Sequence, residues 1–429
     1  MSAQLATVEN FPKPAAEQAY LSGIDIITPD RREEATSKLS RGLRMAVQFL
    51  DRSKRGTMTL ILPNNQAFIF GGAEPGHNAV LKLKDIKVPG KVLLGGDLAF
   101  AECYLDGEWD SPDITAIMDW WMSNEDTLLS PFYGQSWVHF FRRIWHFLQA
   151  NTKRQAKRNI AYHYDIGNSF YAEWLDASMT YSSAIYTHER QSLEEAQYNK
   201  YRHLAGLLQI QPGQEVLEIG CGWGGMAEFL AKNYACNVTA ITNSQEHAEF
   251  ARKRAWKAGL GDRVKILMRD YREIEQKFDR VVSIEMFEAV GEKYWPVFFD
   301  KLYSVLKPEG RAVMQLITIH DDRFENYKRC PDFIQRYVFP GGMLPSPSIL
   351  AKLIDEAGFT MAANNGYGLH YARTLHEWRN RFDAAWGKIE RMGFDERFQR
   401  MWRYYLGYCE AGFKIDTIDV RQIALIRGA

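Results

Sequence analysis

The sequence predicts an α/β fold in which a mixed seven-stranded sheet with helices on both faces follows a smaller N-terminal α+β domain. The chain has 429 residues, which is long for one hydrophobic core, so two domains are expected. From Glu215 onward, short apolar runs alternate with helical patterns, which is typical of a largely parallel sheet. A glycine-rich turn follows the first of these runs, and such a turn lets a ligand approach bare backbone.

Composition and charge exclude several classes of function. The 53 basic and 53 acidic residues cancel, and only one helix combines basic and aromatic residues, so we expect no nucleic-acid partner. The five cysteines show no C-x-x-C spacing, which predicts neither a metal site nor a disulfide framework. The N-terminus lacks a signal-peptide pattern, and no apolar run reaches the roughly 18 residues of a membrane span. We therefore expect a cytoplasmic protein.

Residues 1–130 are predicted to form the small α+β domain, and we expect this domain to associate with lipid or membrane. Its first 35 residues are irregular in pattern. A helix is predicted over 36–50, two strands lie within 56–71 around a Pro-Asn-Asn turn, strand-like segments cover 80–93, and an aromatic helical pattern covers 95–121.

Residues 131–160 are predicted to be a basic and aromatic helical linker. From Trp137 to Arg158, large apolar side chains are mixed with Arg and Lys, and no acidic residue interrupts them. Such a helix suits an anionic membrane surface, where each cation contributes about 1 kcal/mol. A helix packed between domains, with a solvated basic end, explains the same pattern equally well.

Residues 161–429 are predicted to form the larger domain. A polar segment at 320–347, punctuated by Pro and Gly, is too long for a plain connection and is expected to act as a lid. Strands are predicted at 215–219, 237–242, 263–269, 278–286, 311–319 and 418–427, with helices at 245–258, 294–306, 348–358, 374–392 and 395–412.

The glycine-rich turn has the spacing G-x-G-x-x-G at Gly220, Gly222 and Gly225, so a dinucleotide site has to be considered. However, the acidic Glu218 precedes the glycines, and the next strand ends in Thr242 and Asn instead of the acid that a dinucleotide ribose usually contacts. The turn therefore favours an S-adenosylmethionine site of the class I methyltransferases. A glycine turn that binds no ligand is the alternative.

Six separated blocks together resemble one family. They are HYDIGN at 163–168, MTYSSA at 179–184, GCGWGG at 220–225, DYR at 270–272, IEMFEAVG at 284–291 and YVFPGG at 337–342. This set is similar to the cyclopropane fatty acid synthases and their mycolic-acid-modifying relatives, over about residues 150–429. The resemblance implies a Rossmann-like class I methyltransferase domain that uses S-adenosylmethionine.

The resemblance also implies which residues contact the cofactor. The neighbours of the cofactor on the N-terminal side would be Tyr181 and Ser182. Its methionine part would be held by Glu218, Gly220, Gly222 and Gly224. Its ribose would be reached by Thr242 and Gln245, and its adenine would be bordered by Asp270 and Tyr271.

Family members close a cyclopropane ring with a bound bicarbonate as base, held by a Cys, a Glu, a His and a Tyr. Glu288 and Tyr371 match this shell, whereas Ser183 stands at the Cys position and Ile317 at the His position. Isoleucine cannot hydrogen-bond a carbonate oxygen, and an ion left without its bonds in a dry site is costly. The sequence therefore argues against bicarbonate, and His370 becomes a candidate replacement base.

A cysteine within the segment YYLGYC also matches the family. An uncharged alkene attacking a sulfonium needs no thiolate, so we interpret Cys409 as a packing residue near the catalytic site.

The predicted substrates are unsaturated acyl chains of membrane phospholipids. Methyl transfer to a double bond leaves a carbocation, and loss of a proton from a neighbouring chain carbon gives a methyl-branched unsaturated product. Ring closure with bicarbonate gives a cyclopropane instead, and a non-catalytic lipid-binding protein is a third hypothesis. We expect peripheral association with the inner face of the membrane, and a homodimer would add avidity there.

Overall fold

The computed structural model describes residues 20–129 and 166–428. The chain divides into two compact units, Met1–Arg158 with Phe394–Ile415, and Asn159–Gly393 with Asp416–Ala429. The predicted domain boundaries placed residues 394–415 in the larger domain, whereas their contacts group them with the first unit.

The first unit contains a five-stranded mixed sheet with the order β1-β3-β2-β4-β5. Two strands on opposite sides of a tight turn pair antiparallel, as the Pro-Asn-Asn turn predicts. The strands are β1 (Asp25–Ile26), β2 (Arg55–Ile61), β3 (Gln66–Gly71), β4 (Glu74–Leu83) and β5 (Trp109–Asp110), and the helices are α1 (Arg32–Ser37), α2 (Arg41–Leu50), α3 (Val88–Leu105) and α4 (Ile114–Leu129).

Two predictions for this unit were wrong in detail. The strand-like segment predicted over 80–93 changes from strand to helix, because β4 ends at Leu83 and α3 begins at Val88 with Pro89 in its first turn. The single helical pattern predicted over 95–121 is two helices, since the chain turns at Gly107 (φ 73°) and forms β5 before α4 begins.

The second unit contains a seven-stranded mixed sheet with the order β11-β12-β10-β9-β6-β7-β8. Strands from β10 to β8 run parallel, and β12 is antiparallel to both of its neighbours. The strands are β6 (Glu215–Ile219), β7 (Asn237–Thr242), β8 (Val264–Met268), β9 (Phe278–Ile284), β10 (Leu306–Ile319), β11 (Phe359–Gly366) and β12 (Ile418–Arg427). The predicted α/β class and mixed seven-stranded sheet are confirmed.

Helices cover both faces of this sheet. Along β6, Val216 packs into one hydrophobic cluster, and Leu217 and Ile219 pack into the other, as alternating side chains of a buried strand must. The helices are α5 (Asn168–Trp174), α6 (Leu193–Leu208), α7 (Gly225–Tyr234), α8 (Gln245–Lys257), α9 (Trp295–Val305), α10 (Asp321–Arg329), α11 (Pro347–Glu356) and α12 (Gly368–Arg391).

The helix α13 (Glu396–Lys414) precedes β12 in the chain but belongs to the first unit. Its Lys414 ammonium lies 2.6 Å from the buried carboxylate of Asp119, and its Arg400 guanidinium lies 3.2 Å from Asp110. These partly buried ion pairs join α13 to α4 and β5 of the same unit. Sequence periodicity alone does not reveal such contacts.

The strand order places a topological switch point at the centre of the sheet. From β6 the chain proceeds outward to β7 and β8, and then returns to the other side of β6 as β9. In open α/β sheets, ligands bind beyond the carboxyl ends of the strands at such a point. The residues that follow β6 and β9 therefore define the region where a site is expected.

The segment 320–347 contains α10 and a π-helical turn at Ile334–Val338. Its role as a lid stays a prediction. Within the two described stretches of chain, no helix has both the length and the apolar character that crossing a bilayer requires. The whole predicted linker, residues 131–160, lies outside the described residues.

Candidate active site

The turn after β6 is built from glycines for two separate reasons. Gly220 and Gly224 have φ angles of 82° and 80°, which side chains with a Cβ rarely adopt. A Cβ on Gly220 would lie 2.6 Å from the Met286 side chain, and one on Gly224 would lie 2.9 Å from Ala251. Gly222 (φ 49°) faces open space, with no atom within 4 Å of a Cβ built there. Bare backbone at Gly222 can therefore contact a ligand.

Glu218, on β6 just before this turn, is buried and only half satisfied. One of its interactions is a hydrogen bond from the backbone of Ala227, in the first turns of α7. Its Oε2 atom is buried and has no hydrogen-bond partner. Burial raises the pKa of Glu218 to about 8. An unpartnered buried acceptor beside bare backbone fits the ammonium group of an amino-acid ligand, such as the methionine part of S-adenosylmethionine.

The strands next to β6 carry the other predicted cofactor residues at their carboxyl ends. Thr242 ends β7, and its hydroxyl accepts a hydrogen bond from the backbone of Ser244. Gln245 begins α8 and is exposed, with its amide bonded to Glu249. Both positions follow or end β7 at the carboxyl edge of the sheet, and their contact with a ribose stays a prediction.

Beyond β8, Asp270 and Tyr271 occupy a short turn. The Asp270 carboxylate accepts hydrogen bonds from the backbone and the guanidinium of Arg272. The Tyr271 ring contacts Phe298 edge-on, with centroids 5.3 Å apart. Asp270 thus has a capping role in this structure, and its contact with adenine stays a prediction.

Tyr181 and Ser182 lie before α6, and the two side chains have different surroundings. The Tyr181 ring packs within 5.6 Å of the rings of Tyr171, Trp174 and Trp378, centroid to centroid. Ser182 is buried, and its hydroxyl accepts a hydrogen bond of 2.6 Å from the ammonium of Lys200.

Lys200 is a functional candidate that the sequence analysis missed. It lies in α6 and is completely buried. Burial is the main effect on its pKa and lowers it to about 7. The negative charges of Glu285, Asp176 and Glu218 act in the opposite direction. A lysine inside a helical pattern carries no sequence signal of burial, because the same pattern is typical of a solvated face.

Glu285 is the second candidate that the sequence analysis missed. It follows β9 directly and has a φ angle of 46°, which is uncommon for a residue with a side chain. Its carboxylate accepts hydrogen bonds from the Ser183 backbone (2.8 Å), the Gln315 amide (2.7 Å) and the Tyr371 hydroxyl (2.6 Å). Burial raises the pKa of Glu285, and these three bonds counteract that effect.

Glu288 lies one turn further along the chain. Its Oε1 accepts a 2.6 Å hydrogen bond from the backbone of Ile317, and its buried Oε2 has no partner. Burial, followed by the negative charge of Glu285, raises the pKa of Glu288 to about 8. The negative charge of Glu285 therefore favours the protonated form of Glu288.

The structure brings Ser183 and Tyr371 to Glu285, whereas His370 makes a different contact. Ser183 contributes its backbone N–H to Glu285, and its hydroxyl donates instead to the Ala184 carbonyl at 3.1 Å. The Nδ1 atom of His370 accepts a hydrogen bond from the Tyr186 backbone, so that nitrogen is not available as a base. Burial and then the charge of Arg373 lower the pKa of His370.

Cys409 lies on α13 and is half-buried within the first unit, whereas the other predicted catalytic residues belong to the second unit. Within the described residues, no group of three or more His, Cys, Asp or Glu side chains is placed to hold a metal ion.

The residues present fit S-adenosylmethionine. The carboxyl end of β6 offers an open acceptor on Glu218 and bare backbone at Gly222, which suit a positively charged amino acid. The β9 end offers buried carboxyl groups next to aromatic rings, which suit a positively charged reaction intermediate.

Comparison with known proteins supports this interpretation. The family model "Mycolic acid cyclopropane synthetase" matches residues 151–423. The tuberculostearic acid methyltransferase UfaA1 of Mycobacterium tuberculosis is 34% identical over 411 residues, covering 92% of this chain and 95% of that relative. The cyclopropane-fatty-acyl-phospholipid synthase of Escherichia coli is 35% identical over 343 residues, covering 79% of this chain and 85% of that relative.

Solved structures agree. The cyclopropane synthase MmaA2 from Mycobacterium tuberculosis has a TM-score of 0.59 at 29% identity, covering 63% of this chain and 98% of that one. The mycolic acid cyclopropane synthase CmaA1, complexed with SAH and CTAB, has a TM-score of 0.57 at 29% identity, with the same coverage. Together with the glycine turn and Glu218, these matches show that the chain belongs to the mycolic acid cyclopropane synthetase family of S-adenosylmethionine-dependent methyltransferases.

Proposed function

We propose that this enzyme methylates the double bond of an unsaturated fatty acyl chain in a membrane phospholipid and releases a methyl-branched, unsaturated acyl chain. Family membership supports the coarser statement that the enzyme modifies unsaturated fatty acyl chains with S-adenosylmethionine. The phospholipid and the open-chain product are the finer parts of the proposal.

One observation carries the open-chain product. The Tyr371 hydroxyl, which the family resemblance assigns to a bicarbonate shell, donates a 2.6 Å hydrogen bond to the Glu285 carboxylate. The Ile317 backbone donates to Glu288, and the Ile317 side chain has no polar atom to offer an anion. Because protein carboxylates already accept these donors, the site does not fit a bicarbonate ion. The name of the relative UfaA1, a tuberculostearic acid methyltransferase, supports a product other than a cyclopropane.

S-adenosylmethionine, when bound, supplies an electrophilic methyl group on a sulfonium sulfur. Glu218 and the backbone at Gly222 would hold its amino-acid part, with Thr242 and Gln245 on the side of its ribose. Methyl transfer leaves positive charge on the acyl chain, and buried carboxylates and aromatic faces can stabilise that charge. In this unit the rings of Tyr371 and Trp378 pack edge-on, 6.1 Å between centroids.

The proton balance separates the two products. After the new C–C bond forms, an open-chain alkene results when a C–H bond next to the cation breaks and its electron pair forms the double bond. A cyclopropane results when a C–H bond of the added methyl group breaks instead and its electron pair forms the third C–C bond of the ring. The alternative function, a cyclopropane-fatty-acyl-phospholipid synthase, follows the second route, and the Escherichia coli relative bears that name.

The membrane location belongs to the same proposal. The substrate is part of a bilayer, so we infer peripheral contact with the cytoplasmic face through the basic and aromatic residues between Trp137 and Arg158 and through the N-terminal unit. In the same proposal, residues 320–347 close over the bound acyl chain, and pairing into a homodimer would strengthen membrane binding.

The experiment uses S-adenosylmethionine with a trideuterated methyl group and vesicles of a monounsaturated phospholipid. The proposed product retains three deuterium atoms and takes up hydrogen under mild catalytic hydrogenation. A product that retains two deuterium atoms and resists hydrogenation would be a cyclopropane and would contradict the proposal. A protein that only binds lipid would transfer no deuterium to the acyl chain.

A further inference from the structure

We propose that Glu285 is the proton acceptor that ends the reaction, taking the proton from the methylated acyl cation in place of a small-molecule base. This inference rests on the proposed function, because it concerns the same cation. Its support is the position of Glu285, the hydrogen bonds of its carboxylate, and the chain of polar side chains that holds them.

The backbone at Glu285 is strained at the position where the fold places its ligand. Glu285 follows β9 at the topological switch point, across from the glycine turn after β6. Its φ angle of 46° belongs to the left-handed region, which a residue with a Cβ rarely adopts. Glycine would adopt this conformation freely, so the glutamate is present for its side chain and not for the turn.

The carboxylate of Glu285 is held in place without being saturated. A carboxylate offers about four lone-pair sites. Oε1 accepts from the Ser183 backbone and the Gln315 amide, and Oε2 accepts from the Tyr371 hydroxyl. Three of the four sites are therefore occupied by donors in the described structure, and the remaining one on Oε2 can receive a proton.

A chain of hydrogen bonds determines the direction of these donors. The Gln315 amide nitrogen donates to Glu285, so its oxygen is left to accept from the Gln422 amide at 2.7 Å. The Gln422 oxygen then bonds to Nδ1 of His203, whose Nε2 lies 3.1 Å from the Tyr367 hydroxyl. Because the Gln422 oxygen can only accept, a neutral His203 must carry its proton on Nδ1. Each side chain then donates a hydrogen bond to the next one, in the direction of Glu285.

The surrounding charges suit a base that begins as an anion. The buried Lys200 ammonium attracts the Glu285 carboxylate and opposes the effect of burial on it. When the acyl cation forms, its charge adds to that of Lys200. Transfer of the proton to Oε2 breaks the C–H bond, leaves its electron pair as the new double bond, and converts the carboxylate to a neutral acid.

The primary test replaces Glu285 by glutamine, which keeps the shape and can keep hydrogen bonds to Ser183 and Gln315. Formation of methyl-branched product by Glu285→Gln, measured with the trideuterated cofactor, is expected to fall about 100-fold or more. Calorimetric binding of S-adenosylmethionine is expected to stay as in the wild type. The fraction of methylated chains recovered as water-captured alcohol is expected to rise, because the cation persists without its base.

The matched control is Glu309→Gln, because Glu309 is also a glutamate in the left-handed region (φ 60°) but is exposed. It should keep the wild-type rate and product distribution. A Glu285→Gln variant that keeps the wild-type rate with no new alcohol product would overturn the assignment. A wild-type enzyme that makes no methyl-branched product would overturn the proposed function itself, so the two failures are distinguishable.

A second variant keeps the inference testable if Glu285→Gln does not fold. Glu285→Gly relieves the strained φ angle and leaves space for a small carboxylate. Added formate is expected to restore product formation at least tenfold in Glu285→Gly, and to have no effect on the wild type or on Glu309→Gly. Absence of rescue in a folded variant that binds the cofactor would count against Glu285 as the base.

Discussion

The carboxyl ends of the central strands β6 and β9 each carry a buried glutamate, and the two glutamates differ in their hydrogen bonds. Glu218, near the end of β6, is buried with an Oε2 atom that has no partner, next to a glycine that faces open space. Glu285, after β9, is buried with donors on both oxygens. An open acceptor in a dry site is stable only when a ligand supplies the missing donor. Glu218 is therefore placed to receive a donor from a ligand, whereas protein donors hold the Glu285 carboxylate.

The largest effect that would test this contrast is expected for Glu218→Gln. The variant loses a charge-assisted hydrogen bond to the cofactor ammonium, worth about 1.5–3 kcal/mol, so the Kd for S-adenosylmethionine should rise by roughly 10- to 150-fold. Calorimetric titration measures this change. Glu215→Gln, on the same strand with its carboxylate bonded to Asn237, serves as the control and should bind normally. An unchanged Kd for Glu218→Gln would remove the distinction between the two ends.

The next effect separates two glycines of one turn. Gly224→Ala places a Cβ 2.9 Å from Ala251 and should lower the free energy of unfolding by about 1–3 kcal/mol. Gly222→Ala meets no protein atom, so it should cost about 1 kcal/mol for its φ angle but should weaken cofactor binding more than Gly224→Ala does. Chemical denaturation and calorimetry measure the two quantities. Equal cofactor affinities in both variants would contradict a ligand contact at Gly222.

The next effect, roughly 2 kcal/mol between pH 5 and 7, is expected in the pH dependence of stability. The pKa of Glu288 is raised to about 8, so between pH 5 and 7 the folded state holds a proton that the unfolded state has lost. Stability from this group is complete below the ordinary pKa and is lost as the pH rises towards 8. The Tm should therefore fall less from pH 5 to 7 in Glu288→Gln than in the wild type. Lys200 titrates at about 7 and adds little slope within this range.

The smallest effect is expected for Ser183→Cys, which introduces the residue that the family resemblance places there. Glu285 receives the backbone N–H of Ser183, and the Ser183 hydroxyl bonds only to the neighbouring Ala184 carbonyl in the described contacts. Methyl transfer should change less than about twofold, within the range of a mutation that loses one weak hydrogen bond. A large loss of activity, measured with the labelled cofactor, would show that the Ser183 side chain takes part in the reaction. The described donors to Glu285 would then not be the only groups that matter after β9.

Much of the fold could be predicted because its signals are local. Apolar runs defined the parallel strands β6 to β10 and the last strand β12, and glycine density defined the ligand turn. The strand β11 was missed in the element-by-element prediction, because its sequence FTMAANNG is polar and it lies at the edge of the sheet, where burial is low. The assignment of α13 was missed because its partners Asp110 and Asp119 are distant in sequence.

The residues of the site divide in the same way, into those that a local sequence signal identifies and those that only tertiary contacts identify. The resemblance directed attention to Glu288, which matches a family motif, although Glu285 lies three residues earlier in the same block. Nothing in the sequence distinguishes the two glutamates, since both follow a strand and either could face solvent. Only the contacts of Glu285 with Tyr371 and Gln315 identify it.

The sequence by itself determined the class of fold, the cofactor turn and the family, because strand periodicity, glycine spacing and block order depend on neighbouring residues. The tertiary structure alone decided which carboxylate is held and which is open, because hydrogen bonds at Glu285 join residues from four distant parts of the chain. Burial also lowered the pKa of Lys200 and raised the pKa values of Glu218 and Glu288, and burial is a property of the packed molecule.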